Sequence, residues 1–385
     1  MVAPMDITFL GTGSAQPSAT RNHQAMALRL DGDIWLFDCG EATQHQFQKS
    51  KLKMGKVTRI FITHMHGDHC FGLAPVLCSM TDNLNPANAP TEDSDDDKVP
   101  VDIYGPTPLR SWLRNTLKST YSNVGRSYRV HELLLQDDPV DTNSDLHPNE
   151  LPGQNIFLVN GAFDLPLYAS TEKGYRVQAA PILHSIPSLG YVIREPDWPG
   201  KVNGLVPLIK QNMVALKKLG ISNPMSLLGQ IQRTNAPYDL PDGQRLEPPP
   251  MRPGREVVIL GDTKDPSPIL PLTHSPTLLI HEATNALTSL DKDKEGNYTM
   301  TLEEVEARTK DHGHSTPQMA AAFAKSIGCK TLILTHFSAR YRGDEESESL
   351  AVMEEIRRLA TDVFDQRAQD IYCARDLWSY EIKME

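Results

Sequence analysis

The residues best suited to chemistry lie in one short run, Thr63-His64-Met65-His66-Gly67-Asp68-His69-Cys70. It follows directly on the apolar stretch Val57-Thr58-Arg59-Ile60-Phe61-Ile62. Three imidazoles and a carboxylate within six residues do not suit a packed core, where every unpaired polar group costs free energy. They are nitrogen and oxygen ligands of the kind that zinc accepts. Gly67 is expected to let the turn close tightly enough for both pairs of ligands to face inward.

Three further candidates stand in the same context. His184 follows the run Tyr175–Leu183, Asp262 follows Glu256–Gly261, and His336 follows Lys330–Thr335. Open α/β sheets gather their ligand groups just past the C-terminal ends of strands. With His64, His66, Asp68 and His69 these make five histidines and two aspartates. Such a set is enough for two zinc ions, with one aspartate bridging and a water left between the metals. His23, His45, His131, His147 and His274 lack that context, and surface or structural roles are expected for them.

The elements that must position these groups alternate along the chain. Val/Ile/Leu/Tyr-rich runs ending at Gly, Pro or Asp predict strands at 6–10, 25–30, 34–37, 57–62, 101–104, 175–180, 190–194, 256–260, 277–280, 331–334 and 370–372. Helical spacing predicts helices at 71–80, 109–119, 205–219, 316–327 and 346–361. Asp31-Gly32 is a favoured two-residue hairpin turn. The pattern implies α/β sheets covered by helices. Periodicity leaves open whether there is one sheet or two.

Composition sets the outer limits. The chain has 385 residues, 39% hydrophobic and 23% charged, which is ordinary globular usage and allows one large domain with insertions or two smaller ones. No apolar run is long enough for a membrane helix, and no basic segment followed by an apolar one suggests a secretory signal, so no membrane partner is expected. Five scattered cysteines, odd in number and without CxxC pairs, favour a reducing, intracellular compartment, cytoplasm or nucleus.

The net charge of −11 argues against a polyanionic partner only while it is averaged over the chain. Two polar segments, 82–98 and 137–160, read as solvated acidic loop insertions, and within them 82–97 and 137–150 hold eleven acids and no Lys or Arg, equal to the whole excess. Residues 196–255 differ. Eight bases against four acids, punctuated by Gly, Pro and Asn, read as a protruding basic arm.

Further motifs carry a family resemblance. The opening Phe9-Leu10-Gly11-Thr12-Gly13, the run Leu36-Phe37-Asp38-Cys39-Gly40-Glu41, His64 to His69, Leu260-Gly261-Asp262-Thr263, His281-Glu282-Ala283-Thr284 and His314-Ser315-Thr316 occur in order. Together they resemble ribonuclease Z, the tRNA 3′-processing endonucleases of the metallo-β-lactamase superfamily, in its short form. The resemblance spans nearly the whole chain. It implies a single α/β domain over 1–385, a four-layer αββα sandwich, with 196–255 as an inserted flexible arm that grips tRNA.

The resemblance also implies roles. His64, His66 and His184 would hold one zinc, Asp68, His69 and His336 the other, and Asp262 would bridge them, giving two zinc ions per subunit. Asp68 would accept a proton from the attacking water. His314 would meet the scissile phosphate or the leaving oxygen, with Glu282 orienting it. Their alternatives are a helix-start residue for His314 and a purely structural carboxylate for Glu282. Arg21, Asn22, Lys210, Lys217, Lys218, Ser315 and Thr316 would contact RNA. The partners implied are precursor tRNA and a second copy of the chain, as a homodimer.

Two departures stand out: Ala19 replaces the lysine usual in the family's loop before Arg21-Asn22, and Ile221-Ser222-Asn223-Pro224-Met225 replaces its Gly-Pro arm motif. The competing functions are another hydrolase of the same fold, such as a thioesterase or arylsulfatase, and a non-catalytic RNA-binding protein.

Overall fold

Residues 4–80, 99–167, 174–364 and 370–384 are described by a computed structural model. The acidic segment 82–98 lies outside the described residues. Two sheets face each other, which answers what periodicity left open. In spatial order the first runs Ser379–Glu381, Met5–Gly11, Ala25–Leu30, Asp33–Phe37, Val57–Phe61, Val101–Pro106, Tyr128–Leu134 and Glu150–Leu151, with Asn155–Phe157 also paired to Tyr128–Leu134. The second runs Phe163–Leu165, Arg176–Ile182, Ser188–Arg194, Glu256–Leu260, Leu278–Glu282, Leu332–Thr335 and Ile371–Cys373. Asp31 and Gly32 both take positive φ, so the Asp-Gly hairpin turns as its sequence predicts.

Side-chain alternation sorts the strands' residues into layers. Phe37, Phe61 and Tyr104 lie on neighbouring strands and stack at 4.7 and 5.2 Å between the sheets, where Tyr191 of the opposite sheet meets them. Ile60, Ile62 and Ile103 point the other way, under the helices Leu73–Ser79 and Leu109–Ser119. The second of these helices lays Leu109, Leu113 and Leu117 on one buried face, four residues apart. On the far side Ala320, Ala321 and Ala324 of helix Pro317–Ser326, and Ile356, Ala360 and Phe364 of helix Ser347–Phe364, cover the second sheet. The result is the expected four-layer αββα sandwich.

The segment 137–160 departs from the expected solvated loop. It supplies Glu150–Leu151 and Asn155–Phe157 to the first sheet. Its acids answer cations of the Leu109–Ser119 helix: buried Glu150 and Asp141 accept from Arg114 at 2.8 and 3.0 Å, and Asp145 pairs with Lys118. The physical reason is that Arg110 and Arg114 sit beside that helix's apolar stripe and need internal partners.

The arm is an insertion inside a hairpin. Strands Ser188–Arg194 and Glu256–Leu260 are antiparallel neighbours, and residues 196–255 leave and return between them. A buried Glu195–Arg255 ion pair at 2.6 Å and a Trp198–Arg252 backbone bridge close its base. Ile209, Leu216, Leu227, Ile231, Leu240 and Leu246 give it a small core of its own. The helix expected over 205–219 is two helices, Val206–Gln211 and Met213–Lys218, joined at Asn212, whose buried amide bonds Asp242.

Candidate metal centre

The C-terminal ends of parallel strands from both sheets meet at one rim. Past Val57–Phe61 come His64 and His66, and His66 precedes the short helix Gly67–Cys70, which carries Asp68 and His69. Asp262 follows Glu256–Leu260, Glu282 ends Leu278–Glu282, and His336 follows Leu332–Thr335 with a positive φ of 56°. Gly67 does not take a positive φ, and a Cβ there would lie 2.2 Å from the ring of exposed Phe71, which would have to turn aside.

These residues converge in three overlapping groups, His64–His66–His184–Asp262, Asp68–His69–His336 and Asp262–His314–His336. His66 Nδ1 lies 3.1 Å from His64 Nε2 and 3.3 Å from His184 Nε2. His69 Nε2 and His336 Nε2 are 3.1 Å apart. Asp262 reaches both sides, 3.7 Å from His64 and 3.5 and 3.3 Å from His69 and His336. Ligand atoms about 2.0–2.1 Å from a tetrahedral zinc stand roughly 3.3 Å from one another, so these separations suit the ion.

Hydrogen bonds on the far sides of the rings decide which nitrogens face inward. Asp38 accepts from His69 Nδ1 at 2.7 Å. The Thr63 hydroxyl donates to Asp38 at 2.9 Å and so accepts from His64 Nδ1 at 3.0 Å. His184 Nδ1 donates to the Gly313 carbonyl at 2.7 Å. The Thr284 hydroxyl donates to Glu282 at 2.5 Å and accepts from His336 Nδ1 at 3.1 Å. With these protons committed, the Nε2 lone pairs of His69 and His336 point at each other, an arrangement that a cation between them satisfies. The donor set therefore fits metal.

The acids around His69 favour positive charge there, whether a second proton on the ring or a cation beside it. Burial, with His69 adding to it, pushes the His64 imidazole well below its usual pKa. At His69 burial is outweighed by Asp262, Asp38 and Asp68, which raise it well above the usual value. Burial resists charge on Asp68 and Asp262, yet the surrounding histidines hold both carboxylates far below the usual range. His314 Nδ1 donates to Glu282 at 3.0 Å; burial opposes its charge, but Glu282 and Asp262 raise it to about 9.

The residues expected to contact RNA divide. Lys210, Lys217 and Lys218 are exposed on the arm and carry no ion pair among the described residues. Arg21 is a correction. Its side chain is 1% exposed and its donors are committed to the Tyr341 carbonyl (2.7 Å), the Thr12 hydroxyl (2.6 Å) and the Ala374 carbonyl (3.1 Å). Asn22 binds Asp376 and the Glu41 carbonyl. Ser315 is buried on the Thr263 carbonyl, and buried Thr316 caps helix Pro317–Ser326 by accepting from Met319. Arg21, Ser315 and Thr316 are thus spent inside the protein, whereas Asn22 is half-buried, bonding Asp376 through its backbone N–H and Glu41 through its amide.

Asp38 is the residue that sequence reasoning missed. It holds His69 directly and His64 through Thr63. Its signal was its place after strand Asp33–Phe37, the same context that singled out Asp262 and His336.

Comparison with known proteins follows the whole chain. It is 37% identical to zinc phosphodiesterase ELAC protein 1 of Bos taurus, covering 99% of both chains. It is 30% identical to ribonuclease Z of Lactococcus lactis subsp. cremoris, covering 94% of this chain and 99% of that one. The chain belongs to the ribonuclease Z family. The solved structure of human tRNase Z, short form, superposes with a TM-score of 0.60 at 30% identity, covering 99% of this chain and 100% of that one. The metallo-β-lactamase fold protein YhfI from Bacillus subtilis matches with a TM-score of 0.51 at 15% identity, a likeness of fold alone. A family described as anti-Pycsar protein Apyc1 matches residues 5–91. No helix among the described residues is long and apolar enough to cross a membrane.

Proposed function

We propose that this protein is a zinc-dependent endoribonuclease that removes the 3′ trailer from precursor tRNA. It cuts after the discriminator nucleotide, leaving a 3′-hydroxyl on the tRNA and a 5′-phosphate on the trailer. The observation that carries the reading is a ligand set shared through Asp262, in a chain whose ribonuclease Z likeness runs end to end. His64, His66 and His184 would hold one zinc, Asp68, His69 and His336 the second, with Asp262 between them. Two such ions supply Lewis acidity at the phosphate and make a bound water acidic enough to attack near neutral pH.

The chain's own groups do the rest. Asp68 is the proton acceptor, and its Oδ2 is steadied by the Ala15 backbone N–H at 2.8 Å. His314, kept charged by Glu282, has Nε2–H free to hold a phosphoryl oxygen or give a proton to the leaving oxygen. Lys210, Lys217 and Lys218 grip phosphates away from the cut, where contacts position the substrate and RNA shape does the selecting. In the homodimer one subunit's arm serves the other's cleft. An intracellular site of action, cytoplasm or nucleus, belongs to the same reading and is supported by five free cysteines.

The test is incubation of the purified protein with a defined precursor tRNA, with and without chelator, mapping the cut to the nucleotide. Chelator-sensitive cleavage just after the discriminator is expected. Cleavage elsewhere, or cleavage indifferent to chelator, overturns the reading.

A further inference from the structure

Arg21 has no access to RNA, yet it lies behind one half of the metal centre. Two short strands, Gly13–Ser14 and Phe337–Ser338, pair in parallel and tie the opening loop to the loop after strand Leu332–Thr335. Phe337 directly follows His336, and its N–H donates to the Thr12 carbonyl at 2.8 Å. Ala15 directly follows Ser14 and gives its N–H to Asp68. This clasp therefore delivers two members of one ligand group, His336 by chain connection and Asp68 by hydrogen bond. Both delivering residues have left-handed backbones, φ 56° at Ala15 and at His336, which local sequence does not favour and the surroundings must enforce.

The Arg21 guanidinium is what lies against the clasp. It stands 4.6 Å from the Phe337 ring centroid, binds the Thr12 hydroxyl, and joins both to the carbonyls of Tyr341 and Ala374. The Thr12 hydroxyl passes the link on to Asp376 at 2.7 Å, and Asp376 also accepts from the Asn22 N–H at 2.7 Å. A Cβ on Gly13 would fall 3.2 Å from the Arg21 Cβ, so the arginine's stem packs on the clasp as well. The other ligand group, His64, His66 and His184, rests on Thr63 and Gly313 and shares none of these partners.

We infer that Arg21 is a positioning residue for the Asp68–His69–His336 metal site and does not contact the RNA. The inference rests on the reading of this centre as a two-zinc, RNA-cleaving site. Its fork of donors is the reason an arginine is required, since a lysine offers a single point of charge and cannot bridge hydroxyl and carbonyls together.

The experiment compares wild type, R21K, R21M and T12V for zinc content against a graded competitor, precursor-tRNA binding over a salt series, and kcat and KM. Thermal melting reports on folding. In R21M and R21K one zinc per chain is expected to be held about 10- to 100-fold more weakly while the other is retained. Their kcat should fall with it, with KM and the salt slope of tRNA binding unchanged. T12V, nearly isosteric, should show the same selective loss in smaller measure, which keeps the test decisive if the arginine variants melt early. Raised KM and a shallower salt slope with zinc intact would show instead that Arg21 touches phosphate. Equal weakening of both zinc ions would also overturn the inference. A wild type that fails to cleave at all removes the functional reading, whereas wild-type cleavage with unchanged R21M zinc binding removes only this one.

Discussion

The metal centre and the arm solve opposite problems with opposite means. At the candidate metal centre the ligands are buried or half-buried on strand ends and one short helix, and four of the five imidazoles have the outer nitrogen committed to a named partner: Asp38, Thr63, Gly313 or Thr284. In the arm the exposed lysines lie on short helices over a six-residue core, with Arg255 at its base held by Glu195 and the Ile382 carbonyl and a Trp198–Arg252 bridge just above. Bond-making needs atoms held to a fraction of an ångström, which rigid elements and supporting hydrogen bonds provide. Phosphate binding works through screened charge over longer distances and tolerates mobile side chains. Chemistry and grip should therefore fail separately.

The largest effects belong to the centre. Asp68→Ala is expected to cut kcat by at least on the order of 10²–10⁴-fold, because it removes proton acceptor and ligand together. Binding of precursor tRNA, followed by gel shift, should persist; if binding falls with turnover, cleft and arm are not separable. His314→Ala should cost kcat about 10²-fold or more while zinc content, measured by elemental analysis, stays at the wild-type value. Asp38→Asn should weaken zinc about 10- to 100-fold, since it disturbs His69 directly and His64 through Thr63. At the arm, replacing Lys217 and Lys218 with alanine should raise KM and leave kcat at saturation alone. The salt slope of binding should drop by about one for each phosphate that is no longer neutralised. A fall in kcat there would contradict the division of labour. Least of all should catalysis notice Arg114→Met. That change strands buried Glu150 and should cost roughly 3–5 kcal/mol of stability in a denaturant melt, with kcat unchanged in the protein that remains folded.

Much of the centre was legible because a polar ligand just past an apolar strand has few bland explanations. Thr63, Thr284 and Gly313 carry no such signal; their parts are set by which ring nitrogen they meet, and that depends on residues far apart in sequence. Arg21 misled for the reverse reason. A basic residue in a polar loop looks exposed, and only the fold shows that the chain after His336 closes over it. Strand Tyr128–Leu134 was not predicted, because His131 and Glu132 interrupt its apolar pattern. They are tolerated because Asp102 meets the first and Arg110 the second. The same long-range pairing reshapes the meaning of the net charge. Asp141 and Glu150 are counter-charges for Arg114, not a repulsive surface, and Arg255 is spent on Glu195 at the arm's base. Lys210, Lys217 and Lys218, exposed and without an ion pair among the described residues, are the cations that the proposed function assigns to RNA.

Deletion of the arm tests the separation of grip and chemistry most directly. Because Trp198 and Arg252 already bridge across its base, residues 200–250 can be replaced by a short glycine-rich turn between strands that remain paired. The shortened protein should lose most of its kcat/KM on precursor tRNA yet hydrolyse bis(p-nitrophenyl) phosphate at the wild-type rate with its zinc in place. Loss of both activities to the same extent, in a protein that still holds its metal, would contradict the account.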